Sequence, residues 1–236
     1  MFAMAGAVVA ARGSAPTPDP PAMTNGVTVS GRVSYVGEIP AVEQTPVDRD
    51  RSFCGETMPN EALSVGRESR GVAAVVVSLE GVPKGKTRSE DRPLVLENRT
   101  CRFVPRISAA LAGAVLVVRN ADPILHNTHI RKKPIRGKFV KRGAAPRGRV
   151  EKVAKEAGLL DVRCDAHPFM HGAIHVFNHP YFAVTDSTGR FELNQVPPGK
   201  YRLKIWHETL RSQEQMITVT SDAPVFINLE VGPEAA

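Results

Sequence analysis

The stretch Cys164-Asp165-Ala166-His167-Pro168-Phe169-Met170 places a thiol, an imidazole and a thioether within seven residues. It reads as a loop, because strand-like runs lead to Cys164 and follow Met170 (Gly172-Ala-Ile-His-Val-Phe177). A second imidazole, His126, lies 38 positions before Cys164 and follows another such run, Val115-Leu-Val-Val-Arg-Asn120. A Cys and a His separated by two residues can point inward together from one tight loop. A Met three residues beyond the His then approaches the same centre from another side. Pro168 fixes one φ and removes a backbone donor, which limits collapse of that loop. Asn127, directly after the first His, can hydrogen-bond across and tie the two loops together.

Two imidazoles, one thiolate and a weak thioether make the donor set of a blue-copper centre, with three equatorial ligands and one long axial sulfur. The sulfurs favour Cu(I), and imidazole accepts both oxidation states. Taken alone, Cys-x-x-His arises often by chance, and a buried Met beside a His is ordinarily core packing. The strand-borne His126-Asn127 and the strand after Met170 tip the balance to metal. Residues Asn120 through His129 and Gly158 through Gly172 resemble the cupredoxins, and among them amicyanin with its short Cys-x-x-His-Pro-Phe-Met loop. The resemblance covers about residues 95–178. It implies His126, Cys164, His167 and Met170 as copper ligands and a Greek-key β-sandwich as the fold.

Working outward, the 236 residues suffice for one large or two modest domains. Aromatics are few, and 19 Gly with 19 Pro suit short strands and many turns. Val-rich runs recur while no long 3.6-residue periodicity does, so the expectation is all-β. No run is long and apolar enough to span a membrane as a helix. Residues 2–11 (Phe-Ala-Met-Ala-Gly-Ala-Val-Val-Ala-Ala) resemble the end of a secretory signal without its basic start, and residues 12–24 are Pro-rich. Export, to a periplasm or beyond, is therefore expected. Three cysteines leave an odd one in an exported chain. If Cys164 is the copper thiolate, Cys54 and Cys101 remain as a disulfide pair; two unrelated buried thiols are the alternative.

Val27 to Val36 alternates as a strand, residues 38–70 are polar and irregular, and Gly71 to Leu79 reads as a strand buried on both faces. Downstream, Thr185-Asp186 to Gly189 is expected as a hairpin turn, and Val196-Pro-Pro-Gly-Lys-Tyr201 as another turn and strand. These motifs resemble the carboxypeptidase regulatory-like (transthyretin-like) β-sandwich. In that family the opening strands, here Gly31-Arg-Val33 and Val75 to Leu79, directly precede the Thr-Asp turn. The intervening hundred or so residues imply a copper domain inserted into a second small sandwich. The expected division is a leader (1–24), a first sandwich part (25–94), the copper domain (95–178) and a second sandwich part (179–236). Tandem sandwiches are the alternative.

Arg131 to Arg149 holds nine Lys or Arg and no acid, within a formal charge of +7. It reads either as a solvated loop or as a docking surface for an acidic redox partner. Nucleic acid is disfavoured, since only Phe139 interleaves the charges. His129 and His171 flank the ligand loops and are candidates for the surface where electrons leave. His175, His179 and His207 would form a second metal site only if the strands bring them together. No His-x-His occurs, which a multicopper oxidase or nitrite reductase would need. The expectation is thus an exported single-electron carrier, not an enzyme, serving a c-type cytochrome or an amine dehydrogenase. The rivals are a copper carrier and a structural or carbohydrate-binding sandwich with a vestigial metal loop.

Overall fold

The computed structural model describes residues 26–82, 93–133, 140–141 and 147–233. The leader, the charged turn at 83–92 and residues 134–139 and 142–146 of the basic stretch lie outside them. The chain opens with β1 (Val27–Tyr35), β2 (Gln44–Pro46), a one-turn helix α1 (Arg51–Cys54), β3 (Thr57–Pro59) and β4 (Val76–Glu80). It continues through β5 (Leu94–Arg99), β6 (Arg102–Val104), β7 (Ile107–Leu111), β8 (Val115–Asn120) and β9 (Thr128–Lys132). Then come β10 (Val140–Lys141), β11 (Arg149–Val153), β12 (Gly158–Cys164) and β13 (His171–Phe177). It closes with β14 (Phe182–Val184), β15 (Arg190–Val196), β16 (Gly199–Trp206), β17 (Gln213–Val219) and β18 (Val225–Val231).

Strand pairing sorts these elements into two sandwiches. One is built from the sheets β15-β1-β18 and β14-β4-β16-β17. Its strands alternate in burial, as in β1, where Val29, Gly31, Val33 and Tyr35 point inward. That period of two is what a sheet with one wet face requires. The shared core joins Val29, Val33, Leu79, Leu193, Leu203 and Ile217. The other sandwich faces β10-β9-β12-β13-β7 against β11-β8-β5-β6. Its core gathers Leu96, Phe103, Leu116, Val162, Ile174 and Val176 around Cys164 and Met170. Strands β5 to β13 all lie between β4 and β14, which are themselves paired antiparallel (Phe182↔Ser78, Val184↔Val76). The sandwich of strands β5 to β13 thus lies, in chain order, between two paired strands of the other.

Three expectations need correction. The run Gly71–Leu79 is a strand only from Val76, because Ala74 sits at φ 61 and the Val75 N–H donates to Thr185 Oγ1 at 2.9 Å. Thr185 to Gly189 is no hairpin turn. It carries the chain from β14, in one sheet, to β15 in the opposite sheet, with Gly189 at φ 78 against the Val33 carbonyl. Residues 44–59, assigned by sequence to the first sandwich part, pack through Val47 and Met58 on the core that holds Cys164 and Met170. A disulfide between Cys54 and Cys101 fastens them there.

The two sandwiches meet where Val76 packs with Ile107 and Ala173, flanked by Phe177, Val184 and Trp206. Polar contacts reinforce that seam. Glu208 bonds Arg106 Nη1 and lies 2.8 Å from His171 Nε2.

Candidate metal centre

Each expected ligand is delivered by a defined backbone device. His126 follows β8 in a turn held by Asn120, whose Nδ2 donates to the Ile124 carbonyl (2.7 Å) and whose Oδ1 accepts the Asp122 N–H (3.0 Å). Cys164 ends β12, opposite Thr128 of β9. The loop after it folds on itself: Met170 N–H donates to the His167 carbonyl (2.9 Å), and Cys164 N–H to the Met170 carbonyl (3.2 Å). Asn127 links the two ligand loops, its Nδ2 donating to Asp165 Oδ2 (3.1 Å) while its carbonyl accepts the Asp165 N–H (3.0 Å).

These devices converge. His126 Nδ1 lies 3.8 Å and His167 Nδ1 3.6 Å from Cys164 Sγ. Donors sharing one ion at bonds of about 2.0 Å to nitrogen and about 2.3 Å to sulfur can stand at most about 4.3 Å apart, so these separations fit a common ion. The side chains are sealed from water, with His126 and His167 at 0 % exposure and Cys164 and Met170 at 3 %. Met170 belongs to the same buried cluster as Cys164.

Electrostatics agree with the donor set. Burial lowers His126 below its ordinary value, against the pull of Asp122, and so favours the neutral imidazole that ligation requires. Burial pushes the Cys164 thiol up, against the backbone N–H groups of Asn127, His167 and Ala166 that favour the thiolate. A cation is the partner that would make the thiolate favourable there. Cys101, Asp122 and His126 also cluster closely, but the Cys101 sulfur is committed to its disulfide.

Two carboxylates escaped the sequence reading. Asp122 Oδ2 lies 2.8 Å from His126 Nε2, and Asp50 Oδ2 lies 3.0 Å from His167 Nε2. An acid four residues before His126 was a visible signal for the first. Nothing local marks Asp50, which arrives from a segment 117 positions away. His129 is not at the surface: it is 1 % exposed, with Nδ1 2.9 Å from Asp165 Oδ1. His171 lies beside a cleft of about 270 Å³ shared with Glu61, Arg102, Arg106, Pro168 and Phe169. Among the described residues His175, His179 and His207 do not join in a group close enough to hold an ion. His175 packs instead against Trp206, the rings tilted at 55° with centroids 4.3 Å apart, and burial holds it near pKa 4.

Comparison with family models matches residues 169–225 to polysaccharide lyase family 4, domain II. No curated protein matches the chain. Among solved structures it is similar to the copper-containing nitrite reductase (NirK) from Thermus scotoductus SA-01, at 19 % identity and TM-score 0.33. That match covers 41 % of this chain, which spans only 25 % of the reductase. A reduced Cu(I) form of an amicyanin variant is also similar, at 19 % identity and TM-score 0.34, over 43 % of this chain and 98 % of that one. An oxidised amicyanin variant gives 20 % identity, TM-score 0.34 and the same coverage. These solved neighbours are cupredoxins.

Proposed function

We propose that the chain is an exported type 1 (blue) copper protein that carries single electrons, with His126, Cys164, His167 and Met170 as ligands. The observation that carries this is the approach of two histidine Nδ1 atoms to within 3.8 Å of one buried thiol. Bound copper would cycle between its +1 and +2 states and so take up or release one electron at a time. The protein's part is to keep the donors from moving when the charge changes. The hydrogen-bonded loop 164–170 fixes Cys164, His167 and Met170 relative to one another, and Asn127 fixes that loop relative to His126. Burial excludes water from the donors, so no solvent reorganises against them.

The same reading makes the chain a carrier, not an enzyme. Its partners would be a c-type cytochrome or an amine dehydrogenase bearing an acidic face. It divides the chain into a leader (1–24), the copper sandwich (95–178) and the flanking parts of the regulatory-like sandwich (25–94 and 179–236), with residues 44–59 serving the copper sandwich. The regulatory-like assignment rests on Thr185-Asp186 to Phe191 and on Pro197-Pro-Gly-Lys-Tyr201.

The test is the visible spectrum of copper-loaded protein. A thiolate bound to Cu(II) absorbs strongly in the red, and Cys164→Ser should abolish that band. A protein that binds Cu(I) but stays colourless on oxidation would be a copper carrier instead. One that binds no copper would leave the sandwich a structural or carbohydrate-binding module.

A further inference from the structure

An imidazole offers two nitrogens, and a metal centre needs a particular one turned inward. In this protein the outward nitrogen of each candidate ligand meets an aspartate. A carboxylate only accepts hydrogen bonds, so each Nε2 carries the hydrogen. Each Nδ1 is left with its lone pair directed at Cys164. Asp122 is itself fixed, since Oδ1 accepts the Thr100 N–H (2.7 Å) and Oδ2 the Cys101 N–H (2.9 Å). Asp50 caps α1, its carbonyl accepting the N–H groups of Phe53 and Cys54 (both 2.9 Å). The helix ends on Cys54, and Cys54 is bonded to Cys101. The path His167–Asp50–α1–Cys54–Cys101–Asp122–His126 therefore forms a closed belt behind the donors, and one disulfide is its buckle.

We propose that Asp50 and Asp122 are positioning residues for the metal's two imidazoles, and that the Cys54–Cys101 disulfide keeps both carboxylates in place. This rests on the metal reading of the centre and adds to it a part of the chain outside the inserted strands. Residues 50–54 are a cap that closes over His167, which is fully buried although the Asp50 side chain is 38 % exposed. Without the cap the ring could turn, or place its hydrogen on Nδ1 and lose its donor lone pair. Partners of this kind typically change metal affinity 10- to 100-fold.

Two readouts test it. In metal-free protein, nitrogen NMR of His126 and His167 should show the Nε2–H tautomer at both rings. Asp50→Ala should mix the tautomers at His167 only, and Asp122→Ala at His126 only. Competition for Cu(I) against a soluble Cu(I) chelator should then show about 10- to 100-fold weaker binding for each alanine variant. Asp50→Asn, which keeps an acceptor, should fall between Asp50→Ala and wild type. The double variant Cys54→Ser/Cys101→Ser should lose affinity comparably although it touches neither ring. Should Asp122→Ala fail to fold, the more exposed Asp50→Ala carries the test. An Nδ1–H tautomer at either wild-type ring, or wild-type Cu(I) affinity matched within twofold by every variant, overturns the proposal. Wild-type protein that takes up no Cu(I) would instead sink the metal reading.

Discussion

At the scale of single residues, the centre divides its labour unequally. In the proposed copper centre Cys164 would supply charge and the two histidines rigid neutral donors, while Met170, on the same loop, would be a softer and weaker one. The reduction potential of such a centre responds chiefly to its axial ligand. Met170→Leu should therefore keep copper and the red band while raising the potential, as a redox titration would show. His126→Ala should weaken copper binding and admit water to the vacated position, visible as an altered spectrum. Unchanged potential in the first variant would mean that Met170 is core packing only. That Cys164, His167 and Met170 would lie together was legible from sequence, because thiol, imidazole and thioether crowd one short loop. Asp50 was not, because its link to His167 depends on a disulfide that spans 47 positions.

At the scale of elements, that disulfide does mechanical work that can be measured separately from metal. It closes a 47-residue separation, for which the loop-entropy account gives a stabilisation of about 4 kcal/mol. Cys54→Ser/Cys101→Ser should lower the urea midpoint of metal-free protein accordingly, and an unchanged midpoint would refute the estimate. The basic stretch is also an element-scale matter. Sequence offered a solvated loop or a docking surface, yet Arg131 and Lys132 belong to β9, Val140–Lys141 form β10 and Arg149 begins β11. There Lys132 meets Glu156, Lys133 lies 3.6 Å from Asp161, and Arg149 meets Glu151. A scan for acids inside the stretch could not reveal this, because the partners lie beyond it: Glu151 on β11, Glu156 in the bend after β11 and Asp161 on β12. Exposed pairs of this kind contribute little stability, and the proposed steering of an acidic partner would act over roughly 8 Å at physiological salt. Converting Lys132, Lys133, Lys138 and Lys141 to Gln should slow electron exchange with an acidic cytochrome at low salt and leave the spectrum unchanged. Rates indifferent to both salt and substitution would place docking elsewhere.

At the scale of the molecule, the seam between the sandwiches sets the response to acid. His175 and His207 sit near pKa 4 because burial disfavours their charged forms, against an ordinary 6.5. Unfolded chains therefore bind more protons between those limits, and stability falls as pH drops from about 6.5 to about 4, by about 1.4 kcal/mol per pH unit for each histidine. Burial pushes Glu208 up, but hydrogen bonds from His171 and Arg106 prevail and bring it from 4.5 to about 2. Its contribution is present above pH 4.5 and is lost as pH falls towards 2. Urea midpoints measured at pH 7, 5 and 4 should decline steadily; a flat profile would mean that the seam histidines are hydrated. The all-β class was legible from the alternation of apolar residues. The seam was not, because a histidine facing Trp206 across two sandwiches looks like any other strand histidine.

The pairing of β1 with β18, Val29 opposite Val225, dictates an order of assembly. Strand β1 is synthesised well before its lateral partners β15 and β18 and can pair with them only after the intervening residues have followed it. The inserted strands meet no such delay, since their ladders, from β5–β6 to β12–β13, close within residues 94–177. Once they have closed, β4 and β14 are brought side by side, and the entropy of closing the long loop between them has already been met. An inner sandwich that closes first would act as a template for the outer one. Lesions that unfold strands β5 to β13 should delay protection of amides in β1 and β18 during refolding, whereas lesions in β17 or β18 should leave the inner strands folding at their own rate.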